Sequence, residues 1–518
     1  MISRILLLLL ALTLQGRAGS LFGSDTLSRP SRCVDILHYK IEVRFDEKNK
    51  KVFGTTVISF VPLWSKLDSL QLNAVEMDVQ SVTMYGKPLV FFNDRKQLMV
   101  KLDKFYSFND TLRIVVDYTC SPAKGLYFTS PDSINPDRRT QIWTQGEDMD
   151  NRYWFPCWDF PNDKATSEVI ATVRDSWTVL SNGRLVDTRT DKKMKTKTFH
   201  WLESKPHASY LVMLVAGEYT ILSEKYKNLS VDNYAYNDRI EDTRRSLSAT
   251  TDVLKFMEQA TGFTYPWEKL AQIFIQDFMW GGMENTSAIT YNESYLIDRR
   301  GMVDFSGDDV VAHEVAHQWF GDVVTCRDWS ELWLNESFAN YYEARYKKYS
   351  KGSDEFLLDM MNQAAGVMGA ERSQGRQPIV SQDNYAANLY SKGAWVLHML
   401  ESILGEQEFN RAIHLYLQRN AFSNVSTFDF QKAVEEATGR NLDWFFRQWV
   451  FKGGHPQLTV TSSWDEATKF LTLSVEQTQK VDSLTGVFKL PVDIECTTAS
   501  GSSLQTIYLS QQQEKFEI

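Results

Sequence analysis

A multidomain α+β protein is what the sequence predicts. Three observations carry it: short alternating runs over the first two hundred residues, long helical periods through the middle, and a return of alternation after Gly453-Gly454. At 518 residues the chain is long enough for several domains, and its 43% hydrophobic and 24% charged content is that of a globular protein.

The chain opens with Arg4, an apolar run from Ile5 to Leu14, and small residues at Gly16-Arg17-Ala18. A positive flank, a run of this length and a small-residue cleavage site describe a signal peptide over residues 1–18. The run is shorter than the roughly 20 residues needed to span a bilayer. The expectation is therefore an exported protein, periplasmic or extracellular, with no stable membrane span.

Residues 30–217 are expected to form a mostly antiparallel β domain. Tyr39-Lys40-Ile41-Glu42-Val43-Arg44-Phe45 alternates cleanly, and Leu112 to Val116 begins the same way. Residues 218–450 change character. Helical patterns run over Asp242–Thr261, Asp308–Phe320, Glu331–Tyr349 and Lys392–Leu404, interrupted by a strand at Ala271–Ile275. Residues 451–518 are expected to form a small β module. Five cysteines lie far apart without a paired CxxC spacing, which excludes a disulfide scaffold and a cysteine-based zinc site. A net charge of -10 leaves no surplus of Lys or Arg for nucleic acid.

The chemistry concentrates at His313-Glu314-Val315-Ala316-His317. Histidines four apart on a helix share a face, about 6 Å apart along the axis, and can converge on one ion. Ser306, Asp308 and Asp309 favour a helix start before them, and Gly321 offers a stop. Glu336 follows His317 by 19 positions, among Trp333, Leu334 and Phe338, so its helix face is expected to be buried. A buried carboxylate needs a counter-charge. Two imidazoles, one carboxylate and an open fourth position make a catalytic zinc site with one ion per chain. Glu314, between the histidines, is then the natural general base.

Gly281-Gly282-Met283-Glu284-Asn285, about thirty residues upstream, completes the pattern. Together with the HExxH motif and the step to Glu336, it resembles the aminopeptidase N-like gluzincin family. Thr144-Gln145-Gly146-Glu147, Phe155 to Asp159 and Tyr390-Ser391-Lys392-Gly393 extend the resemblance over roughly residues 35 to 460. It implies a saddle-like N-terminal β domain, a thermolysin-like catalytic domain and a small β sandwich. It further implies that Gly281 through Asn285 bind the substrate backbone and amine, that Glu147 is a second amine ligand, and that Tyr390 is catalytic. Taken from the residues themselves, glycines at 281 and 282 allow an extended peptide to approach closely, and a phenol near Lys392 can stabilise an oxyanion. Position 282 departs from the family, in which alanine is common. Longer relatives also carry a C-terminal helical domain that roofs the cleft, whereas this sequence stops at Ile518. The expected substrates are peptides with a free N-terminus. An epoxide hydrolase of the leukotriene-hydrolase type, or an inactive peptide-binding homologue, is the alternative.

Overall fold

Side chains alternate between core and surface along the early strands, as half-buried strands require. Lys51–Pro62 alternates along its whole length. The computed structural model describes residues 30–383, 386–499 and 501–518, and the signal segment expected over 1–18 lies outside them. Val34–Asp46 sits near the middle of an eight-stranded sheet. It pairs antiparallel with Lys51–Pro62 and parallel with Ala165–Arg174, so the expected antiparallel sheet contains one parallel seam. A four-stranded sheet places Gln141–Thr144 beside Leu214–Gly217 and leads directly into the loop that carries Glu147.

Residues 219–292 build a five-stranded sheet whose central strand, Lys269–Ile275, is buried throughout. Parallel neighbours on both sides explain why that strand is apolar along most of its length and does not alternate. The edge strand is the two-residue Gly282–Met283, which pairs with Thr290 and Tyr291. This leaves one side of the glycine strand without a partner strand.

Helices pack on this sheet. The helix expected over 242–261 is two: Ile240–Ser246 and Thr250–Thr261. The Ser246 hydroxyl accepts from the Ile297 amide, and the Thr250 hydroxyl donates to the Leu247 carbonyl. The Thr250 bond is a local one of the kind that competes with a continuous ladder, and the Ser246 bond is tertiary. The HExxH helix runs over Asp308–His317 and buries Val311, Ala312, Val315 and Ala316. The Glu336 helix, Trp333–Lys351, begins after a 3-10 turn in which the Asp328 side chain accepts from the Ser330 amide. Trp333, Leu334 and Phe338 are fully buried, as their pattern requires. After Gly453-Gly454 come two small sheets that share a core of Val475, Ile507 and Leu509. All five cysteines are free thiols. No described helix is long and apolar enough to cross a membrane.

Candidate metal centre and substrate cleft

His313 and His317 stand one turn apart on their helix and turn their Nε2 atoms toward each other, 3.1 Å apart. Glu336 Oε2 lies 3.5 Å from the first and 3.3 Å from the second. For a tetrahedral ion about 2.0–2.1 Å from each ligand, donor atoms should be about 3.3–3.4 Å apart. The triangle matches that spacing.

The protonation pattern points the same way. His317 Nδ1 bonds the Phe320 carbonyl at 2.9 Å, and a carbonyl can only accept. His313 Nδ1 meets Glu343 Oε2 at 3.2 Å, again an acceptor when ionised. Each neutral imidazole therefore carries its proton on Nδ1 and presents a bare Nε2 lone pair. Two such lone pairs and a carboxylate oxygen converging on one point can hold one metal ion. In the metal-free cluster burial would lower both histidine pKa values. The carboxylates around them, Glu336 and Glu343 for His313 and Glu284 and Glu336 for His317, overcome that and hold both well above the ordinary range. Burial would raise Glu336, but His317 and His313 hold it low.

These side chains line a cleft of about 460 Å³ with Glu147, Asp148, Gly281, Gly282, Glu284 and Tyr390. Five carboxylates face it, and no lysine or arginine does among the described residues. One oxygen each of Glu147, Glu284 and Glu336 lies within 4.8 Å of the others. Glu284 Oε1 and Glu314 Oε2 are buried without a hydrogen-bond partner among the described residues. Burial raises both Glu147 and Glu284; neighbouring carboxylates push Glu147 further up, while His317 pulls Glu284 part of the way back. Among the described residues Glu284 Oε1 has only His317 Nδ1 near it as an ion-pair partner, at 3.9 Å, so ionising these acids is costly unless a cation enters. The cleft is built for cations.

Glu314 is pushed up to about 8 by burial, against the lowering pull of His313 and His317. Its side chain lies over Gly282, where a Cβ would come within 2.2 Å of Oε1. The glycine that departs from the family pattern thus leaves room for this carboxylate. Tyr390 stacks near His313 with ring centroids 6.0 Å apart. The Glu336 carboxylate and then burial drive its phenol far above the ordinary range, so it stays protonated and able to donate.

The strand alternation splits the glycine motif. Gly281, Gly282 and Glu284 face the cleft. Met283 and Asn285 lie beneath it, Met283 receiving Gln145 Nε2 at 3.1 Å and Asn285 donating to Thr290 Oγ1 at 3.3 Å. They hold the strand and do not line the cleft. Tyr390, expected at a helix start, sits in a π-helical turn, Ala387–Lys392, which precedes the helix Gly393–Leu404. Sequence reasoning missed Glu343, although it follows Glu336 by seven positions, two turns along the same helix face.

Comparison with known proteins agrees with this geometry. The model of the peptidase M1 N-terminal domain matches residues 36–211, and that of the peptidase family M1 domain matches residues 245–449. The chain belongs to the M1 peptidase family. Among its relatives is a tricorn protease-interacting factor F2 of Thermoplasma acidophilum, 28% identical over 89% of this chain and 58% of the relative. A puromycin-sensitive aminopeptidase of Caenorhabditis elegans is 30% identical over 76% of this chain and 44% of its own length. Aminopeptidase M1 of Arabidopsis thaliana is 31% identical over 65% and 40%. This M1 chain therefore spans about half the length of the curated relatives it matches. Both matched segments contribute to the cleft, the first through Glu147 and the second through the HExxH helix, Glu336 and Tyr390.

Proposed function

We propose that this M1 chain is a zinc-dependent aminopeptidase that hydrolyses the bond after the N-terminal residue of a peptide. The observation that carries the reading is the pair of acids, Glu147 and Glu284, that cluster with Glu336 beside the His313–His317–Glu336 donor triangle, with Glu284 Oε1 buried and without a hydrogen-bond partner among the described residues. His313, His317 and Glu336 would hold the zinc, which would supply Lewis-acid polarisation of the scissile carbonyl and a bound water with a pKa of about 7.

The chain's own groups do the rest. An α-ammonium forms charge-assisted hydrogen bonds to Glu147 and Glu284, which registers the chain end. The open edge of Gly282–Met283 can pair with an extended substrate backbone. Glu314 accepts the proton of the attacking water at its unpartnered Oε2 and returns it to the departing amine. The Tyr390 hydroxyl donates to the oxygen that gains charge as the carbonyl becomes tetrahedral.

A panel of aminoacyl fluorogenic amides, run with and without chelator, tests the reading together with metal analysis. We expect near-stoichiometric zinc, activity lost on chelation and restored by zinc, and most zinc lost in His317→Ala. Full zinc retention in that variant would remove the triangle from the reading.

A further inference from the structure

Behind the cleft, Tyr390 is held by residues that the reaction does not use. Lys392 shares its π-helical turn and points away into the interior. Its Nζ lies 3.1 Å from Glu371 Oε1, and both side chains are only 6% exposed. The other oxygen of Glu371 accepts from His455 Nδ1 at 2.6 Å. His455 belongs to the Gly453-Gly454-His455-Pro456 segment that opens the C-terminal β module.

A second set of bonds runs parallel to the first. The Gln377 carbonyl accepts from Asn388 Nδ2 at 3.2 Å and from Lys392 Nζ at 3.4 Å, clasping the turn on both sides of Tyr390. Next to Gln377, Arg376 donates to Asp482 at 2.7 Å and to Thr485 at 2.6 Å, both in the β module. The Gly453 amide donates to the Leu484 carbonyl at 3.1 Å. Bonds therefore run without a break from the β module, through residues 371–377, to the turn that presents the phenol.

A π-helical turn departs from the usual hydrogen-bond ladder and persists where its surroundings determine it. An oxyanion donor is also sensitive to placement, since a shift of about 1 Å can cost a hundredfold. We propose that Lys392, Glu371 and His455 are positioning residues for Tyr390, and that through them the β module sets where the phenol stands over the cleft. The proposal rests on the aminopeptidase reading, in which Tyr390 contacts the reacting carbonyl. His455 is the informative place to cut. Removing Lys392 or Glu371 would leave a buried charge unpaired, whereas removing His455 leaves that ion pair intact and frees only one carboxylate oxygen.

The test uses the full zinc-loaded chain and an aminoacyl nitroanilide. We expect His455→Ala to lower kcat about tenfold, with KM within about twofold and zinc content unchanged. His455→Asn should recover most of the loss, because its amide nitrogen can donate from nearly the place of Nδ1. In a Tyr390→Phe background, His455→Ala should cost nothing further, since there is no phenol left to misplace. In zinc-free protein, amide hydrogen exchange over residues 387–392 should quicken in His455→Ala and stay unchanged over 308–317. If His455→Ala does not fold, His455→Phe, which fills the place of the imidazole but cannot donate to Glu371, takes its place in the same comparison. An equal loss of kcat in the wild-type and Tyr390→Phe backgrounds would overturn the brace while leaving the aminopeptidase reading intact. A Tyr390→Phe enzyme with normal kcat would overturn both the brace and the role of the phenol.

Discussion

Glu314 lies between the two imidazoles of the candidate metal site and a glycine that gives it room. Burial raises its proton affinity, which suits a group that must accept a proton and then release it. Glu314→Gln keeps shape and ligands but removes the acceptor. We expect it to retain zinc and lose about a thousandfold or more in kcat. Near-normal turnover would exclude Glu314 from proton transfer. At Gly282 the effect should be steric. A Cβ would reach within 2.2 Å of the Glu314 carboxylate, so Gly282→Ala has to push that side chain toward the cleft. We expect a shifted pH profile for kcat with zinc content unchanged, and an identical profile would show that the carboxylate moves freely.

At the scale of elements, the two ligand helices and the tyrosine turn must keep one geometry. Glu343 orients His313 from the Glu336 helix, so Glu343→Gln should weaken zinc binding by about 10–100-fold without touching the ligand set. Competition with a chromophoric chelator measures this, and wild-type affinity would assign Glu343 to packing alone. Gly393 sits where a Cβ would fall 1.8 Å from Ser337 Oγ on the Glu336 helix. Gly393→Ala must therefore part the two helices, with a cost of about 1–3 kcal/mol. A lower Tm together with a lower kcat is the expected outcome.

The ligand residues were legible in the sequence because helical spacing places i and i+4 on one face, and because Trp333, Leu334 and Phe338 mark Glu336 as buried. The orienting acids were harder to see. Glu343 has the right spacing but looks like any helix acid; the partners of Lys392 lie 15 and 21 positions away, and His455 lies 84 positions beyond Glu371. The break at Leu247 depends on a bond from Ser246 to Ile297, which no local pattern reveals.

At the scale of the whole molecule, pH stability has a separate source from catalysis. His207 ends a strand of the large sheet, fully buried, with Nε2 2.8 Å from Ser167 Oγ. Burial lowers its pKa from 6.5 to about 3. The unfolded chain therefore binds more protons there, so this contribution is complete above about pH 6.5 and drains as pH falls toward 3. The slope is about 1.4 kcal/mol per pH unit for one group. Unfolding midpoints between pH 7 and 4.5 should fall less steeply in His207→Gln than in the wild type, and equal slopes would place the acid sensitivity elsewhere.

The β modules at both ends were legible as alternation, and the separation of the chain into sheet-rich and helix-rich stretches followed from period alone. The resemblance implied that Glu147 joins the glycine motif at one subsite, but spacing and period alone could not convey that both matched segments of the M1 chain meet in one cleft. Glu147 lies on a loop after a four-stranded sheet, 137 positions before Glu284, and only folding sets their oxygens within 4.8 Å of Glu336. That meeting is the core of the functional account, because zinc, Glu314 and Tyr390 alone would cut any peptide bond that reached them. In the proposed function the two acids would confine the reaction to a chain end. The most direct measurement compares kcat/KM for one peptide with a free N-terminus and for the same peptide N-acetylated. The account predicts that acetylation lowers kcat/KM by orders of magnitude, about a thousandfold, and that Glu284→Ala narrows the gap with zinc retained. Equal cleavage of the free and acetylated peptides would contradict it and make the enzyme an endopeptidase.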